Sequence, residues 1–460
     1  MSTTVRMFGI ALITLGLSLG LVAQETEPGV ERAAPAVAGI TAQDSGPPAE
    51  EAVPDTRPVT GALPLTLGGF ATERSFLAPS FRFSETVDTD PGLASGQSET
   101  VATTNLSANA VLQRIWRRSQ FSLNYTTGGS IYAGHSGLNS IFQGAQIQQS
   151  FQFRRWSLTL ADDVTYTPES AFGYSGLSGG GTSNLVPGTA PNQSILTNQT
   201  RQISNTALGQ VNYNLNNRSS LTISGNFGIL RFPGSDLLDS DQGGIQVGYN
   251  RTLNPRDSLG ISYGLNLVRY PNGSTLPKLD SHNVQLVYGR RVTGRLALRV
   301  SGGPQINRIN DPTLGPTTQA TWTVQSLLSY RFRHAQMEAS YVHSIAAGAG
   351  ILSASKTDQI QWAFSTQLTR TLSGSFHAGY AHNTNAQQVV GSPDSVFNTE
   401  FVGARLERPL GHEATGFLNY TFQHQSTNVL ACGLGLCGTD LSRHIGGVGF
   451  EWHMRPLLIH

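Results

Sequence analysis

Hydrophobic and polar side chains alternate along most of this chain with a period of two. In residues 358–369 (DQIQWAFSTQLT), Ile360, Trp362, Phe364 and Leu368 share one parity, and Gln361, Ala363, Ser365 and Gln367 share the other. Successive side chains of a strand point to opposite faces, so this stretch predicts a strand with one oily and one wet face. The same alternation returns many times. Phe121, Leu123 and Tyr125, Ile245, Val247 and Tyr249, Leu259, Ile261 and Tyr263, Leu418, Tyr420 and Phe422, and Val448, Phe450 and Trp452 lie on oily faces. Asn124, Gln246, Ser262, Asn266 and Asn419 lie on the opposing wet faces. Either the oily faces pack on a soluble core or they look outward at lipid.

The spacing of the turns decides between these. Tight turns rich in Arg, Asn, Pro and Gly begin at 116, 154, 216, 254, 292, 331, 371 and 410. Neighbouring starts lie 38 to 40 residues apart, except for 62 across a Gly/Ser/Pro/Asn-rich insertion at 168–199 (154 to 216). Longer loops such as YPNGSTLPK (270–278) separate successive tight turns. Each period therefore holds two strands of about 10–14 residues, long enough to cross a bilayer at a tilt. A propeller blade would need four strands of about 5–6 residues in the same span. Alternating short and long connections put all tight turns at one end and all long loops at the other. The expected fold is an all-β, transmembrane, antiparallel up-and-down β-barrel of about 18 strands (16–18), with short periplasmic turns and long external loops. The first strand is expected over Ser80–Thr86 and the last over Leu441–His453, with the barrel filling 79–460. Two polar residues break the pattern. Asp162 shares the outward parity of Leu158, Leu160 and Val164, unless a bulge re-aims it. Gln149 sits likewise beside Ile147 and Phe151.

Composition supports the barrel. Charged residues are 13% of the 460, well under the ~25% of an average soluble domain. Lysines number two, Lys278 and Lys356, whereas a wet face in bulk water usually carries Lys and Glu. The formal net charge of +1 argues against a nucleic-acid partner. Arg6 precedes the apolar run Met7–Val22, followed by Ala23, which predicts a secretory signal peptide over 1–23. Residues 24–78 are rich in Pro, Ala, Glu and Gly without a period, and predict a disordered periplasmic segment.

Candidate chemistry is sparse. Arg299, Glu338, Arg405 and Glu407 have inward parity and could line a pore as a charge-selecting constriction, or pair and close the interior. Arginines crowd the tight turns, where they attract anions or snorkel toward headgroups. Cys432 and Cys437 bracket CGLGLC in the last long loop, and an exported chain favours a disulfide there. His377 and His382 are five apart on one strand and face opposite ways, which makes a poor metal pair. No Ser/His or Asp/His set assembles into a catalytic site. The chain is therefore read as no enzyme, with no cofactor and no metal.

The last strand, HIGGVGFEWHM, resembles the C-terminal assembly signal of Gram-negative outer-membrane β-barrels, with Gly447, Phe450 and Trp452 matching and Ile445 replacing the usual polar residue. A tail, 453–460, follows it. The resemblance implies insertion by the barrel-assembly machinery and residence in the bacterial outer membrane, with outer-membrane lipid as a partner. In general form the chain looks like a porin-type channel, which implies passive passage of small polar solutes. It is also similar to 18-stranded barrels that export exopolysaccharide, so a polysaccharide conduit is one alternative. A non-transporting surface barrel with functional loops is another.

Overall fold

The computed structural model describes residues 75–90, 99–168, 201–234, 237–271, 278–312, 315–347, 354–386, 395–428 and 440–459. The expected signal peptide, most of segment 24–78, all but the first residue of the 168–199 insertion and the Cys432/Cys437 loop lie outside them.

Strands run β1 (Phe76–Asp88), β2 (Val101–Ile115), β3 (Ser119–Tyr132), β4 (Ser140–Gln152), β5 (Trp156–Thr167), β6 (Gln202–Asn216), β7 (Ser219–Arg231), β8 (Ser240–Asn254) and β9 (Asp257–Arg269). They continue as β10 (Lys278–Arg291), β11 (Leu296–Asp311), β12 (Gly315–Arg331), β13 (Ala335–Ala347), β14 (Ala354–Thr369), β15 (Leu372–Asn385), β16 (Val396–Pro409), β17 (Ala414–Thr427) and β18 (Asp440–His453). A two-residue β19 (Leu457–Leu458) pairs with the start of β1. Each strand from β1 to β18 pairs antiparallel with the next, and β18 returns to β1 from Ser80↔His453 to Asp88↔Ile445. The sheet thus closes as an 18-stranded barrel, which removes the free edges that lipid does not tolerate. The first strand is longer than expected and starts at Phe76, ahead of Pro79. Its early residues find a partner in β2, where Phe76 lies opposite Gln113.

The tight turns are fixed by local side-chain chemistry. In the turn after β8, Asn254 Oδ1 accepts from the backbone N–H groups of Arg256 (2.8 Å) and Asp257 (2.9 Å). Asn216 Oδ1 accepts from Arg218 N–H (2.9 Å), and Thr293 Oγ1 from Leu296 N–H (3.0 Å). These side chains stand in for a backbone acceptor and bend the chain within a few residues. Register shifts at Asn214/Asn216, Thr252/Asn254 and Gln367/Thr369 all sit beside such turns.

Trp362 is 37% exposed on the outer face of β14, with Ile360 beside it at 52%. Leu106, Ile131, Leu286 and Leu418 are exposed in the same way on their strands. On the opposite parity lie Ser84, Thr222, Ser262, Asn383 and Gln425, all buried. So the oily face looks outward and the amides and hydroxyls look inward. In water such an exterior would be strongly unfavourable, because each large apolar side chain gains roughly 1.5–3 kcal/mol on leaving it. At the short-turn end the outer surface carries aromatics. Phe153 stacks on Trp156 (3.9 Å), Tyr330 meets Phe332 edge-on (4.4 Å), and Phe81 lies over Trp452 (6.0 Å). Higher up, Tyr263 Oη meets His282 Nδ1, and Tyr420 Oη meets His444 Nδ1, both at 2.8 Å. Two amphipathic ring belts bracketing an aliphatic band are what a bilayer selects.

Asp162 does face outward. The ladders from β5 to β4 and β6 pass it without a shift, and Asn205 Nδ2 donates to Asp162 Oδ1 (2.8 Å). A neighbouring amide, not a bulge, accommodates this carboxylate. Gln149 also faces outward, and bonds the Ser150 carbonyl with its amide (3.3 Å).

Candidate functional site

The candidate site is the barrel interior, since the inward faces hold the chain's organised polar groups. They are mostly neutral. Asn109 Nδ2 reaches Asn124 Oδ1 (2.6 Å) and Thr126 Oγ1 (2.7 Å), and Ser130 Oγ donates to Asn105 Oδ1 (2.6 Å). Thr222 Oγ1 donates to Asn212 Oδ1 (2.7 Å), and Thr357 Oγ1 to Asn383 Oδ1 (2.8 Å). Each pair spans adjacent strands, so these groups form cross-strand links along the lining, while others such as the Asn419 amide have no side-chain partner. The inward faces of β7 to β9 are largely buried, including Ser220, Thr222 and Ser262. On the other side, Gln120, Gln152, Gln361, Ser365, Gln367 and Ser375 point inward yet are exposed, all but Gln361 near short turns. Free interior surface therefore concentrates at the short-turn end, along β3–β4 and β14–β15.

The four charged residues selected by parity fall into two groups. Arg405 and Glu407, both inward on β16, pair at 2.5 Å, and the Arg405 guanidinium lies 4.4 Å from the centroid of the Phe417 ring. Arg299 on β11 and Glu338 on β13 flank β12, and Glu338 is exposed. They do not form a single ring around the interior.

Two further inward ion pairs stitch β1 to β18. Arg82 meets Glu451 (3.0 Å), and both oxygens of Asp88 accept from Arg443 Nε (3.0 Å each). Asp88 and Arg443 are almost wholly buried, so each neutralises a charge that alone would be costly inside the wall. Sequence reading missed these residues. The signal exists only once the first strand is known to pair with the last.

The lining also holds inward aromatic rings, which alternation alone does not expect. Four of them lie over a glycine directly opposite on a neighbouring strand. Phe142 covers Gly128, Phe417 covers Gly449, and β15 and β16 exchange rings, with His377 over Gly403 and Phe401 over Gly379. A Cβ on these glycines would stand 2.2 to 2.5 Å from the ring. The missing Cβ lets each ring lie flat against the wall rather than project across the interior. Ring-over-glycine pairing also shields an exposed backbone.

No protein-family model matches the chain, and no curated protein sequence matches it. Among solved structures it is similar to OpdQ of Pseudomonas aeruginosa, at 11% identity and a TM-score of 0.41, covering 83% of this chain and 98% of that one. OccK2 (OpdF) of the same organism, solved with glucuronate, gives 12%, 0.42, 83% and 98%. OccAB3 of Acinetobacter baumannii gives 9%, 0.42, 83% and 99%. The architecture rests instead on the chain's own closed ladder and its inverted faces. These make it a closed, 18-stranded, antiparallel transmembrane β-barrel.

Proposed function

We propose that the chain is a passive outer-membrane channel for small polar solutes. One observation carries this reading: exposed inward amides and hydroxyls, such as Gln152, Gln361 and Gln367, inside a wall whose outer face is apolar. Neutral amides and hydroxyls can replace a solute's hydration shell without trapping it, whereas a charged lining holds counter-ions. Arg299, Glu338, Arg405 and Glu407 are the lining charges that would bias ion passage. Rings lying flat over glycines favour an unobstructed bore. Phe450 and Trp452, outward on β18, suit insertion by the barrel-assembly machinery. The test is reconstitution of the purified chain into planar bilayers and into sugar-loaded vesicles. Discrete conductance steps and vesicle swelling with small sugars are expected. A silent bilayer at every voltage, with vesicles that do not swell, would overturn the proposal.

A further inference from the structure

β12 keeps β11 as its partner from Gly315 to Tyr330, but keeps β13 only from Val324 to Arg331. Above Val324, the edge of β12 that faces β13 pairs with no strand among the described residues. β13 does not end there. It stays paired with β14 up to Ala347↔Ala354, so its outer end has parted from β12 but not from β14.

That end lies inside the barrel. Gln305, inward on β11, donates from Nε2 to the Ile345 carbonyl (3.0 Å) and accepts from the Ile345 N–H through Oε1 (3.4 Å). One side-chain amide thereby makes the two bonds that a neighbouring strand would make. The Ile345 side chain is buried in a cluster with Val268, Leu279 and Ile309. A second amide, Gln319 of β12, holds the Ala386 carbonyl just past β15 (2.9 Å). The last rung still in the wall is Val324↔His343, where His343 Nδ1 meets the Asp358 carboxylate (2.6 Å).

Strand parity points elsewhere. Tyr341 and His343 face outward, and Ile345 shares their parity. If the β12–β13 register simply continued past Val324↔His343, Ile345 would stand opposite Trp322, which is 68% exposed on the outer surface. The same backbone groups thus have two possible partners: the Gln305 amide inside and the free edge of β12 outside.

We propose that the outer end of β13 is a movable piece of wall with these two seats, and that its seat sets the bore of the outer half of the interior. This rests on the channel reading. The inside seat buries Ile345 and leaves the upper edge of β12 without a strand partner among the described residues. The outside seat gives that edge regular rungs and uncovers the Leu279–Ile309 surface to water.

The experiment uses the full chain with Cys432→Ser and Cys437→Ser, and two added cysteine pairs. Ile309→Cys with Ile345→Cys traps the inside seat, and Trp322→Cys with Ile345→Cys traps the outside seat. Leu328→Cys with Ala339→Cys, opposite each other lower in the same seam, is the control. Disulfide closure is read by gel mobility, independently of transport, and bilayer conductance is then compared before and after reduction. Both test pairs should close. The outside-trapped form should conduct at least twofold more than the inside-trapped form. Gln305→Ala should speed closure of the Trp322–Ile345 pair several-fold. If that pair stays open while the control closes, or if both trapped forms conduct equally, the proposal falls. If no form conducts, the channel reading fails, while the gel still decides whether the two seats exist.

Discussion

Placing a methyl group on Gly379 should destabilise the barrel through one identifiable ring. The new Cβ would stand 2.2 Å from Phe401 Cε1 and 2.6 Å from Cζ, so the ring must retreat by roughly 1 Å to reach ordinary contact. It cannot do so freely, since Phe401 is 4% exposed and packs with Ala381 and Leu441. Overpacking of this kind costs about 1–3 kcal/mol. Against that, alanine suits a strand better than glycine by a fraction of a kcal/mol. Gly379→Ala should therefore lose about 1–3 kcal/mol in urea unfolding from lipid vesicles, followed by tryptophan fluorescence. In a Phe401→Ala background the same change should cost under about 0.5 kcal/mol, because the methyl then occupies vacated space. Equal losses in both backgrounds, or no loss in the first, would refute the ring-over-glycine explanation.

Other outcomes follow from the same geometry. Gly303→Ala should be more severe than Gly379→Ala, because its Cβ would collide with the Val284 carbonyl oxygen, a backbone atom with no rotamer to change; assembly can be scored on a heat-modifiability gel. Asp88→Ala should cost about 3–5 kcal/mol by stranding the buried Arg443 guanidinium, and Arg443→Leu added to it should recover much of that loss in thermal melts. Asp162→Leu should be neutral or stabilising, since it removes a carboxylate from the lipid-facing side; a loss above about 1 kcal/mol in the vesicle unfolding assay would contradict that placement. Arg405→Ala should shift the reversal potential in a salt gradient toward cation preference, because it leaves Glu407 without its partner.

The wall was largely legible in the sequence because a strand's side-chain period is fixed at two and lipid reverses which face is oily. Ile360, Trp362 and Phe364 needed no tertiary knowledge to be placed. The turns were legible for a similar reason, since Asn254 and Thr293 act on backbone groups two or three residues away. The ion pairs at the β1–β18 seam were not, because Asp88 and Arg443 meet only across the whole chain. Nor were the inward rings: Phe401 and His377 make sense only beside Gly379 and Gly403 on the neighbouring strand. Ile345 shows the limit of the rule most clearly. Its parity says outside and its packing says inside, because a side-chain amide replaced the strand that would have held it in the wall. Among the candidate charges, parity placed Arg405 and Glu407 inward but could not show that they bind each other.

The β1–β18 seam joins residues as far apart in the chain as Ser80 and Glu451, separated by 371 positions. Until the final strand has been delivered, the growing sheet has two raw margins and no inside. Pairing at such separation is slow and entropically dear. The wall therefore cannot close before its last strand is in place, and any copy cut short before Asp440 would be unable to seal.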